Sequence, residues 1–225
     1  FLESHGIEIL STGSTASLLA SNNVKVTSVE SYTGSPEMLD GRVKTLHPRI
    51  HAGILADQSN EEHLSQLKSQ NIEPIDLVII NLYPFTETVA SGATFAECIE
   101  QIDIGGPSML RGAAKNHNSV AVISSPSQYE LLKSAIESGG FTLPERTRLA
   151  LETFRRTAEY DLAIAEWLGN EVDIDDWRGL IFRKITDLRY GENPHQKAAV
   201  YSDRFCGGIT SAKQLHGKEM SFNNY

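Results

Sequence analysis

Residues 75–85 read IDLVIINLYPF. Positions 75–80 form a short apolar run, interrupted only by Asp76 and rich in β-branched side chains. A run of this length and texture predicts a strand covered on both faces rather than one with a wet face. Residues 120–123, VAVI, predict a second buried strand. Outward from these two, residues 7–10 and the alternating 24–29 predict strands. Residues 16–21, 61–70, 96–102 and 127–137 predict helices. Strands alternating with helices imply an α/β fold with an open, mostly parallel sheet and helices on both faces.

Thr142, Leu143, Pro144 and Glu145 form a capping box with proline in the first turn. They open a long helix expected to end near Leu168, with Gly169 and Asn170 as its stop. Leu151, Phe154, Ala158, Leu162 and Ala165 are its expected apolar stripe. The acidic residues 171–176 read as a connector, and beyond Trp177 glycine and asparagine become frequent. This divides the chain into a first domain, 1–177, and the beginning of a second, 178–225. Residues 1–6 read as the tail of a helix, and 222–225 stop within an element. The first domain is therefore expected to be truncated at its N-terminus and the second at its C-terminus.

The 225 residues carry a formal net charge of −9 and no Lys/Arg-rich run, so the phosphate backbone of a nucleic acid is not an expected partner. A small anionic ligand remains open, because one phosphate needs only a few local donors. No apolar run is long enough to cross a bilayer, and no membrane partner is expected. Cys98 and Cys206 form neither a metal spacing nor a disulfide framework, which suits a reducing, cytoplasmic setting.

Several stretches carry chemistry. Ser11, Thr12, Gly13, Ser14 and Thr15 follow a strand and open a helix, where free N–H groups suit a phosphate. The same residues also suit a plain N-cap. In residues 40–48, DGRVKTLHP, Arg42 and Lys44 alternate and would share one face of extended backbone. His47 and His51 have a spacing used by metal sites, but Pro48 lies between them and no third ligand accompanies them. They are read as hydrogen-bonding residues, with no metal expected. Asn81 and Tyr83 lie at the carboxyl end of the central strand, where open α/β sheets bind ligands. Asp103, Gly105, Gly106 and Pro107 form a second helix-opening turn. In the helix that follows, Arg111 and Lys115 lie on one face, with Met109, Leu110, Ala113 and Ala114 on the other.

Taken in order, residues 11–15, 32–55 (YTGSPEMLDGRVKTLHPRIHAGIL), 75–85 and 100–117 (EQIDIGGPSMLRGAAKNH) resemble the IMP cyclohydrolase domain of the bifunctional cyclohydrolase/AICAR transformylase family. Residues 188–201, LRYGENPHQKAAVY, resemble the opening of that family's transformylase domain. The resemblance implies a methylglyoxal-synthase-like open sheet, followed by the beginning of a deaminase-like α/β domain. It implies that Ser11–Thr15 hold a nucleotide 5′-phosphate, with Ser14 where the family usually has glycine. Lys44, Tyr83, Asp103 and Lys115 match its catalytic group. Arg42, Thr45, Asn81, Gly105 and Gly106 match its substrate contacts, and Arg189 and Tyr190 match nucleotide contacts of the transformylase. The cyclohydrolase needs no cofactor. The transformylase of the longer proteins takes 10-formyltetrahydrofolate as co-substrate, and its Lys-His pair is expected beyond this chain. A homodimer is implied for those longer proteins.

The implied reaction closes a purine ring: a carboxamide nitrogen attacks a formyl carbon, and water is lost. Proton removal from the weak nucleophile, donors to the growing oxyanion and an acid for the leaving hydroxide would each help. Lys44, with Tyr83 as relay, is expected to manage protons at the nitrogen. Asp103 and Lys115 are expected to handle orientation and water loss, and backbone N–H groups near Lys44–Thr45 or Gly105–Gly106 to meet the oxyanion. The leading alternative is a non-catalytic module of the same fold that binds a phosphorylated effector. Methylglyoxal synthase and a hydrolase using His47 and His51 rank lower.

Overall fold

The computed structural model describes residues 1–174, 176–177, 179–203 and 208–225. Asp175 and Arg178, beside the expected domain boundary, and Cys206 lie outside the described residues. The chain divides into two compact units, Phe1–Ile164 and Ala165–Tyr225.

The first unit runs β1 (Leu10–Ser11), α1 (Gly13–Ser21), β2 (Thr27–Ser28), α2 (Val29–Thr33), α3 (Pro48–Leu55), α4 (Glu61–Ser69) and β3 (Leu77–Ile79). It continues with α5 (Phe85–Ala90), α6 (Phe95–Glu100), α7 (Gly105–Lys115), β4 (Ala121–Ile123), α8 (Tyr129–Glu137) and the first part of α9 (Leu143–Glu171). The two buried runs pair in parallel, with Leu77 opposite Ala121, Val78 opposite Val122 and Ile79 opposite Ile123. β1 and β2 are also parallel, with Leu10 opposite Thr27 and Ser11 opposite Ser28.

The expected open sheet therefore appears among the described residues as separate two-stranded parallel pairs. Competition for backbone donors helps to explain why the first pair is short. The N–H of Lys25, inside the expected strand 24–29, donates to the Glu3 carboxylate at 2.9 Å rather than to a neighbouring strand. The ladder begins two residues later, where Thr27 N–H donates to the Ile9 carbonyl at 2.8 Å.

The main core surrounds β3 and β4. Leu110, Val120, Val122 and Ile123 are fully buried, packed with Ile50, Ile54, Val78, Leu132 and Leu149. Helix α9 opens on its capping box: the Glu145 carboxylate accepts from the N–H and hydroxyl of Thr142 at 2.8 and 2.7 Å. Its buried face differs from the expected stripe. Leu149, Ala150, Thr153 and Thr157 are buried, whereas Leu151 is 50% exposed and Phe154 38% exposed. Threonine carries a methyl group that packs like an apolar side chain, so a hydropathy stripe picks the wrong face here. The helix also continues through Gly169 and Asn170 to Glu171 instead of stopping near Leu168.

In the second unit, β5 (Arg183–Leu188) and β6 (Ala198–Ser202) form an antiparallel pair with an irregularity between Lys184 and Thr186. The Arg189 N–H donates to the Met220 carbonyl at 2.9 Å and the Phe222 N–H to the Tyr190 carbonyl at 3.2 Å, which draws the last residues onto the end of β5. No helix of the described residues is long and apolar enough to cross a membrane.

Candidate active site

Helices α3 and α7 run side by side in the same direction. At one end the Thr45 hydroxyl, three residues before α3, crowds Gly105 at the start of α7: a Cβ on Gly105 would lie 2.5 Å from it. At the other end the Asn116 amide donates to the carbonyls of Ile54 and Ala56, both at 2.8 Å. The first turn of α1 reaches the same place, because a Cβ on Gly13 would lie 3.3 Å from Lys44 Nζ. Three helix N-termini thus border the Lys44–Thr45 segment. The helix dipoles and the uncapped first turn of α1 give this region a positive potential suited to an anion, whereas the first-turn N–H groups of α3 are taken up by His47.

Lys44 adds a full charge to this region. Its ammonium lies 3.4 Å from the Glu37 carboxylate and is about one-quarter exposed. Glu30, at the start of α2, accepts a hydrogen bond from the Thr12 hydroxyl at 2.9 Å. A bond from its own backbone N–H, then that hydroxyl, hold the Glu30 carboxyl below its ordinary pKa. Glu30 and Glu37 are site neighbours that the sequence reading missed; nothing in their spacing signals them.

Arg42 and Lys44 do not lie on one extended strand. Leu39, Asp40 and Gly41 take φ values of +56°, +54° and +86°, and Met38 bridges to Val43 across the turn. The turn sends Arg42 to Glu100 on α6, with which it forms an ion pair, and Lys44 to Glu37. His47 caps α3, its Nδ1 accepting from the Arg49 N–H at 3.2 Å. Burial lowers the His51 pKa, and its Nε2 has no hydrogen-bond partner among the described residues. The described residues contain no cluster of three or more His, Cys, Asp or Glu side chains able to hold a metal ion.

Asp103 and Tyr83 come together from different loops. The Asp103 carboxylate accepts from the Gly106 N–H at 2.8 Å, and the backbone N–H of Tyr83 is near enough to favour its charged form. A Cβ on Gly106 would overlap that carboxylate, so glycine is what lets the turn close around it. Burial raises the Asp103 pKa, and the two N–H donors partly oppose the shift. Because Gly106 already serves Asp103, its N–H is not free for the expected oxyanion role. Tyr83 is 47% exposed. The Asn81 amide donates to the Tyr129 hydroxyl at 3.0 Å.

Tyr160 of α9, absent from the sequence-based site, faces this corner. Its hydroxyl accepts from the Asp103 N–H at 2.7 Å and donates to the Gln101 carbonyl at 2.8 Å. A lone tyrosine in a long helix offers no sequence signal for such a contact across 57 residues.

The structure does not bring Lys115 to this group. Lys115 is exposed in the last turn of α7, ten residues beyond Gly105, which is about 15 Å along the helix axis. That end of α7 lies beside the C-terminal end of α3, away from Thr45. Arg111, one turn earlier, stacks its guanidinium 5.6 Å from the Phe154 ring. In the second unit the Arg189 guanidinium lies 4.9 Å from the Tyr190 ring, with its Nη2 3.2 Å from the hydroxyl. A bond to Ser221, then Arg189, lowers the Tyr190 pKa.

The chain belongs to the AICARFT/IMPCHase bienzyme family, whose model matches residues 113–225, while the MGS-like domain matches residues 1–108. The first unit therefore has the MGS-like α/β fold. The chain is similar to the bifunctional purine biosynthesis protein PurH of Mycobacterium marinum, at 55% identity over 232 residues that cover all of this chain and 44% of the relative. The protein of the same name from Corynebacterium glutamicum is 55% identical over 231 residues, again covering all of this chain and 44% of the relative. The chain thus spans 44% of the length of these curated relatives. It is also similar to the crystal structure of ForH, with a TM-score of 0.63 and 34% identity, over 75% of this chain and 87% of that one.

Proposed function

We propose that the first unit carries an IMP cyclohydrolase site of purine biosynthesis, which closes the ring of the formylated aminoimidazole carboxamide ribonucleotide. The observation that carries this reading is the meeting of three helix N-termini at Lys44–Thr45, near the half-buried carboxyl of Asp103. The first part suits the 5′-phosphate, with residues 11–15 as its turn; Lys44, expected from sequence to handle the nitrogen's proton, is assigned here as counter-charge because its ammonium lies beside Gly13 and Glu37. The second suits proton transfer. In ring closure a nitrogen–carbon bond forms, and the formyl oxygen leaves as water with one proton from the carboxamide nitrogen and one from the formamido nitrogen. A carboxyl that keeps its proton more firmly than usual is a reasonable donor to that oxygen. Tyr83, near Asp103 and half-exposed, is assigned to pass the proton taken from the nitrogen on to Asp103, which replaces the proton that Asp103 gives to the leaving oxygen. Because the reaction is intramolecular, holding the two reacting groups together supplies much of the rate.

Lys115 is the weakest member of the inherited group, since its distance from Gly105 gives it no evident access to the substrate within one chain. Residues 178–225, within the second unit, are proposed as the beginning of the transformylase domain, with Arg189 and Tyr190 as its nucleotide contacts; 10-formyltetrahydrofolate would be a co-substrate of the longer protein. A homodimer is likewise a proposal for that longer protein.

The test is the rise of inosine monophosphate from the formylated ribonucleotide. Lys44→Ala is expected to lower kcat/KM by about 100-fold, the scale for losing a pre-organised charge at the site. Lys115→Ala is expected to change it by less than about threefold, and equal losses in both variants would return Lys115 to the catalytic group. Tight binding of the product without turnover by the unmodified chain would favour the non-catalytic effector-binding module instead.

A further inference from the structure

Tyr160 reaches from α9 to two separate loops of the candidate site. Its hydroxyl bridges two groups of the 101–103 turn, accepting from the Asp103 N–H at 2.7 Å and donating to the Gln101 carbonyl at 2.8 Å. Both bonds have good hydrogen-bond lengths, and together they use the hydroxyl as donor and acceptor. Its ring meets Phe85 edge-on, with centroids 6.3 Å apart and planes at 69°. Phe85 is 2% exposed and lies two residues after Tyr83, at the start of α5. One side chain from α9 therefore touches both loops that carry the acid–base pair. It fixes the backbone of one through its hydroxyl and packs against the anchor of the other through its ring. Asp103 and Tyr83 both act electrostatically on the Tyr160 hydroxyl, which places the three acidic groups in one neighbourhood.

We infer that Tyr160 is a positioning residue, which sets the orientation of the Asp103 carboxyl relative to Tyr83 without touching the substrate itself. The inference rests on the cyclohydrolase reading above. Asp103 is held at two points: its own N–H by Tyr160, and its carboxylate by the N–H of Gly106. Removing the first constraint leaves the carboxylate bond in place but lets the turn that carries it move. Small displacements of a reacting group are enough to lower the rate markedly.

The experiment compares the unmodified chain with Tyr160→Phe, which keeps the ring and removes the hydroxyl, and with Tyr160→Leu, which removes both. Three quantities are measured in each: kcat and KM for ring closure, amide hydrogen exchange at Asp103, and the melting temperature. In Tyr160→Phe, exchange at Asp103 is expected to rise about tenfold, as for loss of one protecting bond. kcat is expected to fall by about 10- to 100-fold with KM within about twofold, the pattern of a misplaced catalytic group rather than lost binding. Tyr160→Leu should show the same kcat defect together with a lower melting temperature. If the unmodified chain turns over and Tyr160→Phe has an unchanged kcat, the positioning role is overturned whatever happens to exchange. A fall in kcat that follows the melting temperature, or is matched by a rise in KM, overturns it in favour of a purely structural tyrosine. If the unmodified chain does not turn over, the cyclohydrolase reading fails and the inference falls with it; exchange at Asp103 then reports only whether the clamp itself exists.

Discussion

The two parallel strand pairs of the first unit each end in a loop of the site, yet they are built differently. The β3–β4 pair sits in the core, with Val122 and Ile123 fully buried and Val78 6% exposed. It leads into Asn81 and Tyr83. The β1–β2 pair is half-buried, and the helix that follows it, α1, has no buried residue. It leads into the 11–15 turn. Groups that transfer protons need fixed positions, and a fully packed pair holds them. A phosphate is gripped by several N–H groups at once and tolerates a softer support. On the proposed reading, the proton-transfer groups and the anion turn would rest on scaffolds of different burial.

The largest effect expected from this contrast is on stability. Ile123→Ala should cost about 3–5 kcal/mol, as for a fully buried aliphatic residue, and Leu10→Ala about 1–2 kcal/mol. Chemical denaturation with both variants would measure the difference, and equal costs would erase the distinction between the pairs.

A smaller effect separates the two glycine turns. Gly106→Ala puts a Cβ onto the Asp103 carboxylate and should lower kcat by about 100-fold. In Gly13→Ala the new Cβ meets only the end of the flexible Lys44 side chain. With φ at +55°, its cost is mainly the left-handed backbone, about 1–2 kcal/mol, and it should appear mostly in KM. Steady-state kinetics of both variants would sharpen the assignment; a kcat effect confined to Gly13→Ala would reverse it.

The smallest effect concerns the pH dependence of folding. Burial raises the Asp103 pKa in the folded protein above its unfolded value. In the pH range between those two values the folded state holds more protons than the unfolded one, so stability falls as pH rises through it. Asp103→Asn removes that dependence while keeping an acceptor for the Gly106 N–H. The variant should therefore gain stability relative to the unmodified chain as pH rises from about 3 to about 7, the region around and above the ordinary carboxylate value. It should also lose turnover. Melting curves across that range check the sign, and a relative loss of stability would mean that the N–H donors outweigh burial.

Much of the scaffold is legible in the sequence because its causes are local. The apolar runs at 75–80 and 120–123 read as strands from their length and texture, and both contain one: β4 is buried throughout, while in β3 only Val78 is buried. Thr142 and Glu145 are three residues apart and cap α9 through bonds that need no distant partner. Local hydropathy was not enough for the buried face of α9, where Thr153 and Thr157 pack inward and Leu151 and Phe154 do not. Nor was it enough for the turn at 39–41, whose backbone sends Arg42 and Lys44 to different carboxylates.

By itself, then, the sequence determined the α/β class, the two core strands, the long capped helix and, through its ordered motifs, the family. Only the tertiary structure decided that Gly13, Lys44, Thr45 and Gly105 border one region, that the Gly106 N–H holds the half-buried Asp103 carboxylate, and that Tyr160 reaches both loops. It also decided that Lys115 stands at the far end of α7. The physical reason is that these are matters of distance between segments tens of residues apart. Packing of α3 against α7, and of α9 against the 101–103 turn, fixes such distances, and no local pattern of residue types encodes them.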